Sequence, residues 1–117
     1  MYEYKCKIDR VVDGDTVDVD IDLGFGIWLR KERVRLYGID TPESRTRDLE
    51  EKKLGLAAKA RLIEILNQND NKIILNSHGI GKYGRCLGEL FIKDEEQSIN
   101  TQLILEGHGV EYYGGKR

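Results

Sequence analysis

The sequence predicts an α+β domain made mainly of β-strands, with five strands and two helices in the order β-β-β-α-β-β-α. Two observations predict this class. Apolar and polar residues alternate through most of residues 2–39 and again in two later runs, and apolar residues recur at helical spacing between these regions. At 117 residues the chain has the length of one domain with a single core, so we expect residues 1–117 to form one domain.

The first two strands are indicated by strict alternation. In the run MYEYKCKIDRV, one face carries Tyr2, Tyr4, Cys6 and Ile8. In the run TVDVDIDLG, one face carries Val17, Val19, Ile21 and Leu23, and the other carries Asp18, Asp20 and Asp22. Because side chains alternate between the two faces of a strand, we interpret these three aspartates as a solvated stripe.

Asp15 departs from this pattern, because its position has the same parity as the apolar face. If the strand begins there, the carboxylate points inward and must find a cation, strong hydrogen-bond donors or a metal, since a buried unpaired carboxylate is strongly unfavourable. Alternatively, Asp13-Gly14-Asp15 forms only a turn, because Asp and Gly are common turn residues. This stretch alone leaves both interpretations open.

The third strand is predicted in the run IWLRKERVRLYGI, after the turn LGFG. Three consecutive strands joined by short turns are expected to form an antiparallel meander. Trp28, in this third run, is expected to cap the core, and contact with a partner is the alternative.

The helices and the remaining strands follow the polar loop DTPESRTRDLEEKK. An amphipathic helix is predicted over Lys53 to Asn67 from the helical spacing of Leu56, Ala60, Ile63 and Leu66. The runs KIILNS and RCLGELFI are predicted strands. Ser98 is the predicted N-cap of a short helix from Ile99 to Glu106, which Gly107 ends. Five short strands with a helix after the third predict a small barrel of the OB type, a fold that often binds oligonucleotides.

Composition restricts the class of protein. The net charge of −2, from 19 basic and 21 acidic residues, argues against nucleic-acid binding by bulk charge, so any phosphate binding must rely on a local cluster. The segment MYEYKCKIDR lacks the apolar core of a signal peptide, and no run reaches the length of a membrane span. We therefore expect a cytoplasmic protein with no membrane contact. Cys6 and Cys86 are too few for a disulfide framework and are expected to be buried thiols.

Four short segments carry the functional signal: DGDT at 13–16, RLYGIDTPE at 35–43, KYGR at 82–85 and EYY at 111–113. Each segment alone is compatible with a turn or a surface loop. In this order they resemble the thermonuclease family, the staphylococcal-nuclease-like domains built on an OB-fold barrel. The resemblance extends from about Lys7 to Tyr113.

The resemblance implies a metal site and a catalytic group. It places a calcium ion on two carboxylates and a backbone carbonyl, those of Asp15, Asp40 and Thr41. It assigns catalysis to Arg35, Glu43 and Arg85. The chemistry agrees, because an all-oxygen shell suits a hard cation, although Mg²⁺ accepts similar ligands. Guanidinium groups match phosphate oxygens and stay charged, and a glutamate can take the proton of an attacking water.

The resemblance also implies how substrate is bound and what the reaction is. Lys82 and Tyr83 would contact a terminal phosphate, and either Tyr112 or Tyr113 would lie against the nucleotide. The implied activity is that of a monomeric, calcium-dependent endonuclease that cuts single-stranded or frayed DNA and RNA with little sequence preference, leaving 3′-phosphate ends. The alternative is a catalytically weak or inactive module of the same fold that binds nucleic acid or protein. That reading predicts gaps at the metal or arginine positions, and here those positions are filled.

Overall fold

The computed structural model describes residues 2–80 and 85–113. Its elements are, in chain order, β1 (Glu3–Asp13), β2 (Thr16–Gly24), β3 (Ile27–Leu36), β4 (Ile39–Asp40), α1 (Leu49–Asn67), β5 (Lys72–Ile80), β6 (Cys86–Phe91), α2 (Ile99–Leu105) and β7 (Val110–Glu111). The five long strands close into a barrel in the order β1-β2-β3-β6-β5, and β4 pairs with β7 in a separate two-stranded sheet. The predicted five-stranded α+β barrel is confirmed.

The pairing of the strands explains how the barrel closes. β1, β2 and β3 form the predicted antiparallel meander. β5 pairs antiparallel with both β1 and β6. β3 and β6 run parallel, with Val34 opposite Cys86, and this pairing completes the barrel. It brings the end of β3 next to the start of β6, although the two strands are about fifty residues apart in the chain.

The core lies inside the barrel and under the two helices. The strands contribute Val17, Val19, Val34, Leu36, Leu75 and Leu90, among others. Removing the side chain of one such leucine costs about 2–5 kcal/mol. Cys6 is buried among them, and burial raises the pKa of its thiol to about 12, so it behaves as a small apolar side chain. Cys86 is only half-buried.

Helix α1 begins at Leu49, four residues before the predicted Lys53. The reason is Asp48, whose carboxylate accepts hydrogen bonds from the backbone N–H groups of Glu50 and Glu51 at 3.1 and 3.2 Å. An N-cap aspartate satisfies amide groups that have no partner within the helix, and acidic residues in the first turn favour the helix dipole. The predicted polar loop therefore contains the first turn of the helix.

The face of α1 that contacts the barrel also differs from the prediction. Leu56, Ala60 and Ile63, which were expected to face the core, are exposed. The buried residues of the helix are Gly55, Ala58, Leu62, Ile65 and Leu66. Apolar residues occur on both sides of this helix, so its sequence does not determine which side is covered. The barrel selects the side with the small residues, which allow close approach.

The end of β3, the pairing of β4 with β7 and the end of α2 also differ from the prediction. β3 ends at Leu36, because Gly38 (φ +79°) turns the chain before β4 begins at Ile39. The pairing of β4 with β7 was not predicted, since two-residue strands show no alternation. α2 ends at Leu105, and Glu106 is its C-cap.

In residues 2–80 and 85–113, neither helix has the length and hydropathy needed to cross a bilayer.

The β2–β3 hairpin extends beyond the core. Leu23, predicted to face inward, is exposed, and Phe25 at the tip is fully exposed. Phe25 and Gly26 have φ values of +56° and +75°, as a type I′ turn requires at its two central residues. Trp28 does not cap the core, contrary to prediction; it is half-buried beside the hairpin.

Candidate active site

Loops at one end of the barrel surround a pocket of about 650 Å³. It is lined by the β1–β2 turn, the end of β3, the segment from β4 to α1, the start of β6 and the turn between α2 and β7. The predicted site residues that line it are Asp15, Arg35, Asp40, Thr41, Glu43 and Arg85. The fold therefore brings together three sequence motifs that are far apart in the chain. Lys82 and Tyr83 lie outside the described residues.

Asp15 is both a turn residue and a buried carboxylate, so the two interpretations of the DGDT stretch are compatible. It lies between β1 and β2 and is only 8% exposed. One carboxylate oxygen, Oδ1, accepts a hydrogen bond from the Thr16 hydroxyl at 3.1 Å. The other, Oδ2, accepts one from the Thr41 backbone N–H at 3.0 Å. These donors and a guanidinium group offset the cost of burying the charge.

Arg35 supplies that guanidinium and connects the two carboxylates predicted as metal ligands. Its Nη1 lies 3.4 Å from Asp15 Oδ2, and its Nη2 lies 3.3 Å from Asp40 Oδ1. The Arg35 side chain is only 15% exposed, so solvent screens these contacts weakly. Asp15 and Asp40 therefore converge on one positive centre.

Arg35 is also held by the backbone. Its Nη1 donates to the carbonyl oxygen of Ile39 at 2.9 Å and to that of Leu36 at 3.2 Å. A longer contact, 3.4 Å, reaches the carbonyl of Asp15. The guanidinium group thus spans the end of β3, the start of β4 and the β1–β2 turn. It has a structural role in addition to any role with substrate.

Glu43 lies on the rim of the pocket and its residue is exposed. Its backbone is positioned by α1, because Gly55 packs directly against the Pro42 and Glu43 backbone. The Glu43 N–H also points to Glu51 Oε1, at 3.5 Å. The carboxylate therefore stands on a loop whose backbone is fixed while its side chain faces solvent.

Of the remaining predicted residues, Arg85 lines the pocket, whereas Tyr112 and Tyr113 are not among its lining residues. Arg85 is exposed and directly precedes β6. Tyr112 and Tyr113 follow β7, whose pairing with β4 places Val110 opposite Asp40. The Tyr112 N–H donates to the Gly38 carbonyl at 3.1 Å. The ring of Tyr113, which is exposed, meets the ring of Tyr37 edge-on at 5.5 Å between centroids.

The pocket is strongly acidic, which the motif residues alone did not indicate. Its lining carries two guanidinium groups and seven carboxylates, those of Asp13, Asp15, Asp40, Glu43, Asp48, Glu50 and Glu51. Four of these acids were not predicted as site residues: Asp13, Asp48, Glu50 and Glu51. The last three lie at the start of α1, a segment that was predicted as loop. A phosphate would be repelled by this charge unless a cation were present.

Sequence reasoning also missed two residues that shape the site. The Ser44 hydroxyl donates to Asp13 Oδ1 and so ties the DTPE loop to the DGDT turn. His108 lines the pocket from the turn after α2, although it belongs to none of the motifs. Asp13 belongs to the DGDT motif and Ser44 directly follows DTPE, which is a weak signal for the contact between these two residues. No local pattern in the sequence identifies His108.

The residues present fit a hard divalent cation. Within residues 2–80 and 85–113, no group of three or more His, Cys, Asp or Glu side chains is arranged to hold a metal ion. Two carboxylates nevertheless converge on the Arg35 guanidinium, and next to them the buried Thr41 hydroxyl oxygen makes no hydrogen bond to any described residue. Two carboxylates, a threonine oxygen and water form the all-oxygen set that Ca²⁺ and Mg²⁺ accept.

Comparison with known proteins identifies the family. Residues 33–116 match the model of the staphylococcal nuclease homologue family. The chain is 33% identical to the thermonuclease of Staphylococcus intermedius over 86% of this chain and 55% of that protein. It is 29% identical to endonuclease YhcR of Bacillus subtilis (strain 168) over 95% of this chain and 9% of that protein.

A third relative, the micrococcal nuclease of Shigella flexneri, is 26% identical over 96% of this chain and 62% of its own length. The chain thus spans less than two thirds of the length of each of these relatives. All three relatives are named as nucleases, and the family model covers most of the residues that line the pocket, together with the end of β3 and all later elements. The chain therefore belongs to the staphylococcal nuclease homologue family.

Proposed function

We propose that this domain is a calcium-dependent endonuclease that hydrolyses single-stranded or frayed DNA and RNA with little sequence preference and leaves 3′-phosphate ends. The observation that carries this proposal is the position of Arg35 between Asp15 and Asp40, in a pocket that Glu43 and Arg85 also line. Family membership supports nuclease chemistry. The metal, the substrate strand and the residue roles are inferred from the chemistry of this pocket and from the resemblance of its motifs.

Asp15, Asp40 and the backbone carbonyl of Thr41 would hold the metal ion. When bound, a divalent cation at this position neutralises negative charge on the phosphate as the fifth oxygen approaches. The acidic lining supports such a cation, because seven carboxylates against two guanidinium groups make the described part of the lining negative. Calcium is proposed from the resemblance of the motifs; Mg²⁺ accepts the same oxygen ligands but demands stricter, near-octahedral geometry.

Arg35 and Arg85 would bind the scissile phosphate. Their planar groups donate two hydrogen bonds to neighbouring phosphate oxygens and remain charged throughout the reaction. Arg35 approaches from the buried side of the pocket and Arg85 from the exposed rim, so a phosphate between them is held from two sides. Neither arginine is proposed as a general acid, since a guanidinium group hardly loses its proton.

Glu43 would act as the general base. A water oxygen attacks phosphorus while its proton passes to the Glu43 carboxylate, and the bond from phosphorus to the 5′-oxygen breaks. The leaving 5′-oxygen then takes a proton from solvent, which reaches the open pocket. Because the loop under Glu43 is fixed by Gly55, the carboxylate has a restricted range of positions above the phosphate.

The test is cleavage of denatured DNA by the purified protein with calcium, with magnesium and with chelator, together with analysis of the product ends. We expect calcium-dependent cutting with 3′-phosphate ends, lost in a Glu43→Gln, Arg85→Ala variant that retains the fold. Calorimetry with calcium gives a second readout that does not depend on turnover. Absence of cutting together with retained binding of single strands would favour the binding module instead.

A further inference from the structure

A second groove, of about 340 Å³, lies beside strands β1 and β5. Its lining and that of the active-site pocket share no described residue. Ile73 and Ile74 of β5 form an apolar part, and the indole ring of Trp28 lies at the side. Four lysines also line the groove: Lys5, Lys7, Lys72 and Lys93. The groove therefore combines an apolar floor with a basic rim.

Trp28 is associated with two cations. The Lys7 ammonium nitrogen lies 5.7 Å from the centroid of the indole ring, and the Arg30 guanidinium carbon lies 4.9 Å from it. Cations within about 6 Å of an aromatic ring are attracted to its face. This attraction favours side-chain positions that keep positive charge close to the exposed edge of the indole.

The four lysines form no ion pair within the described part of the protein. The one acid that lines the groove, Asp22, accepts a hydrogen bond from the Gly24 backbone N–H at 2.8 Å. Its neighbour on the same face, Asp20, pairs with Arg30 at 3.3 Å. In a chain of net charge −2, this is a concentrated basic surface.

We propose that this groove is a second contact surface for the nucleic-acid strand, outside the pocket where the strand is cut. The lysines bind phosphates, and Trp28 with Ile74 contacts a base. The inference rests on the proposed function, since it takes a polynucleotide as the ligand. Basic grooves with an aromatic platform bind single strands without sequence preference, because every base has an apolar face.

The spacing along β3 sets the length of strand that can reach both sites. Trp28 and Arg35 lie on the same strand, seven positions apart, which would be about 23 Å in a regular strand and is less here because β3 has a bulge at Lys31 (φ +56°). A strand stacked as in B-DNA advances about 3.4 Å per nucleotide, so at most roughly seven nucleotides span this distance, and an extended single strand needs fewer. Long substrates therefore contact the groove and the pocket together, whereas a dinucleotide in the pocket is too short to reach the groove.

The chain contains one tryptophan, so its intrinsic fluorescence reports on the groove directly. We would titrate the protein, in chelator to prevent hydrolysis, with a thymidine strand of about 30 nucleotides. The groove variant is Lys7→Gln, Lys72→Gln, and the matched control is Lys53→Gln, Lys59→Gln on helix α1. We expect the strand to change Trp28 fluorescence and the groove variant to raise Kd about fivefold or more. The slope of log Kd against log salt should fall by roughly 1.4, or 0.7 per lost phosphate contact, with the control unchanged.

Turnover supplies the second readout. In the groove variant we expect kcat/KM to fall for the long strand and to stay at the wild-type value for a dinucleotide substrate. An unchanged Kd in the groove variant would overturn the inference while leaving the proposed nuclease intact. So would an unchanged Trp28 fluorescence with a strand whose binding is detected by fluorescence anisotropy. If nothing is cleaved, the titration in chelator still tests the groove.

Other occupants give different results. A response to inorganic phosphate or thymidine monophosphate with the affinity of the long strand would mean a small-anion site and would overturn the inference. A response to vesicles of anionic lipid but not to the strand would also overturn it, in favour of a membrane surface bordered by the exposed Phe25 tip.

Discussion

Gly55 of helix α1 lies directly against the backbone of Glu43. A methyl carbon at Gly55 would stand 2.5 Å from both the carbonyl carbon and the carbonyl oxygen of Glu43, and 2.6 Å from the carbonyl oxygen of Pro42. Such distances are shorter than van der Waals contact, so no side chain fits without displacing the loop. The packing of α1 on the barrel and the position of the candidate base are therefore one structural feature.

Gly55→Ala is expected to lower both stability and kcat. In an ordinary helix interior this change stabilises a protein by up to about 1 kcal/mol. Here we expect it to cost about 1–3 kcal/mol, as overpacking does, and to shift Glu43 so that kcat falls more than KM changes. Urea unfolding and steady-state kinetics measure the two effects. Ala57→Gly, at an exposed position of the same helix, is the control and should lower stability alone. A more stable Gly55→Ala protein with full kcat would contradict the conclusion that close packing at Gly55 positions Glu43.

Arg35→Ala and Arg85→Ala are expected to differ in stability although both should lose several kcal/mol of transition-state stabilisation. Arg35 is mostly buried and bonded to backbone carbonyl groups and two carboxylates, so its removal should also cost about 3 kcal/mol of folding free energy. Arg85 is exposed, and its replacement should leave the unfolding curve nearly unchanged. An active and folded Arg35→Ala protein would remove this residue from the mechanism.

The sequence was sufficient for the barrel and for the motif residues that meet in the pocket, because alternation and the order of motifs can be read along the chain, but it did not indicate the further acids that line it. It was not sufficient to predict which face of α1 is buried. Leu56 and Ile63 have the spacing of a buried stripe but are exposed, and the buried face includes the small residues Gly55 and Ala58 instead. That choice depends on which side of the helix can approach the Glu43 loop. The structural role of Arg35 could not be predicted either, since its backbone partners are set by the turn at Gly38 and by the β1–β2 turn.

Asp15 and Asp18 are expected to respond differently to the same substitution. Asp18 lies on the outer face of β2, and its hydrogen bonds with Arg33 hold the pKa of its carboxyl below the usual range. Asp15 lies in the pocket, 3.0 Å from the Thr41 amide. Asp18→Asn should therefore change the calorimetric Kd for calcium by less than about twofold, whereas Asp15→Asn should weaken binding by about tenfold or more. A large loss in Asp18→Asn would mean that the stripe takes part in the metal site.

Phe25→Asn is expected to stabilise the protein. Phe25 is fully exposed at the tip of the β2–β3 hairpin and has a φ of +56°, a left-handed conformation that aromatic residues rarely adopt. Asn adopts this conformation more readily and is common in type I′ turns, so we expect a gain of about 0.5–1 kcal/mol in urea unfolding. Phe25→Ala, which keeps the strain, is the control and should give no such gain. Loss of stability in Phe25→Asn would show that the phenylalanine makes a contact that stabilises the hairpin.

Glu106→Gln is expected to lower stability in a pH-dependent way. Glu106 caps α2 and meets Arg61 of α1 through two hydrogen bonds, at 2.6 and 3.0 Å. These bonds, with one from Gln102, lower the pKa of Glu106 from 4.5 to about 2. Because the folded pKa lies below the unfolded one, the pair contributes fully above about pH 4.5, and the contribution is lost progressively as the pH falls toward 2.

Urea unfolding of wild type and Glu106→Gln at neutral and at acid pH tests this dependence. The difference between the two proteins should be small but measurable near pH 7, since partly exposed ion pairs contribute little, and it should shrink as the pH falls from about 4.5 toward 2. The matched control is Glu64→Gln, which removes only the contact of Arg61 within its own helix and leaves the link to α2 in place. A difference between wild type and Glu106→Gln that stays constant with pH would show that the ion pair is not its cause.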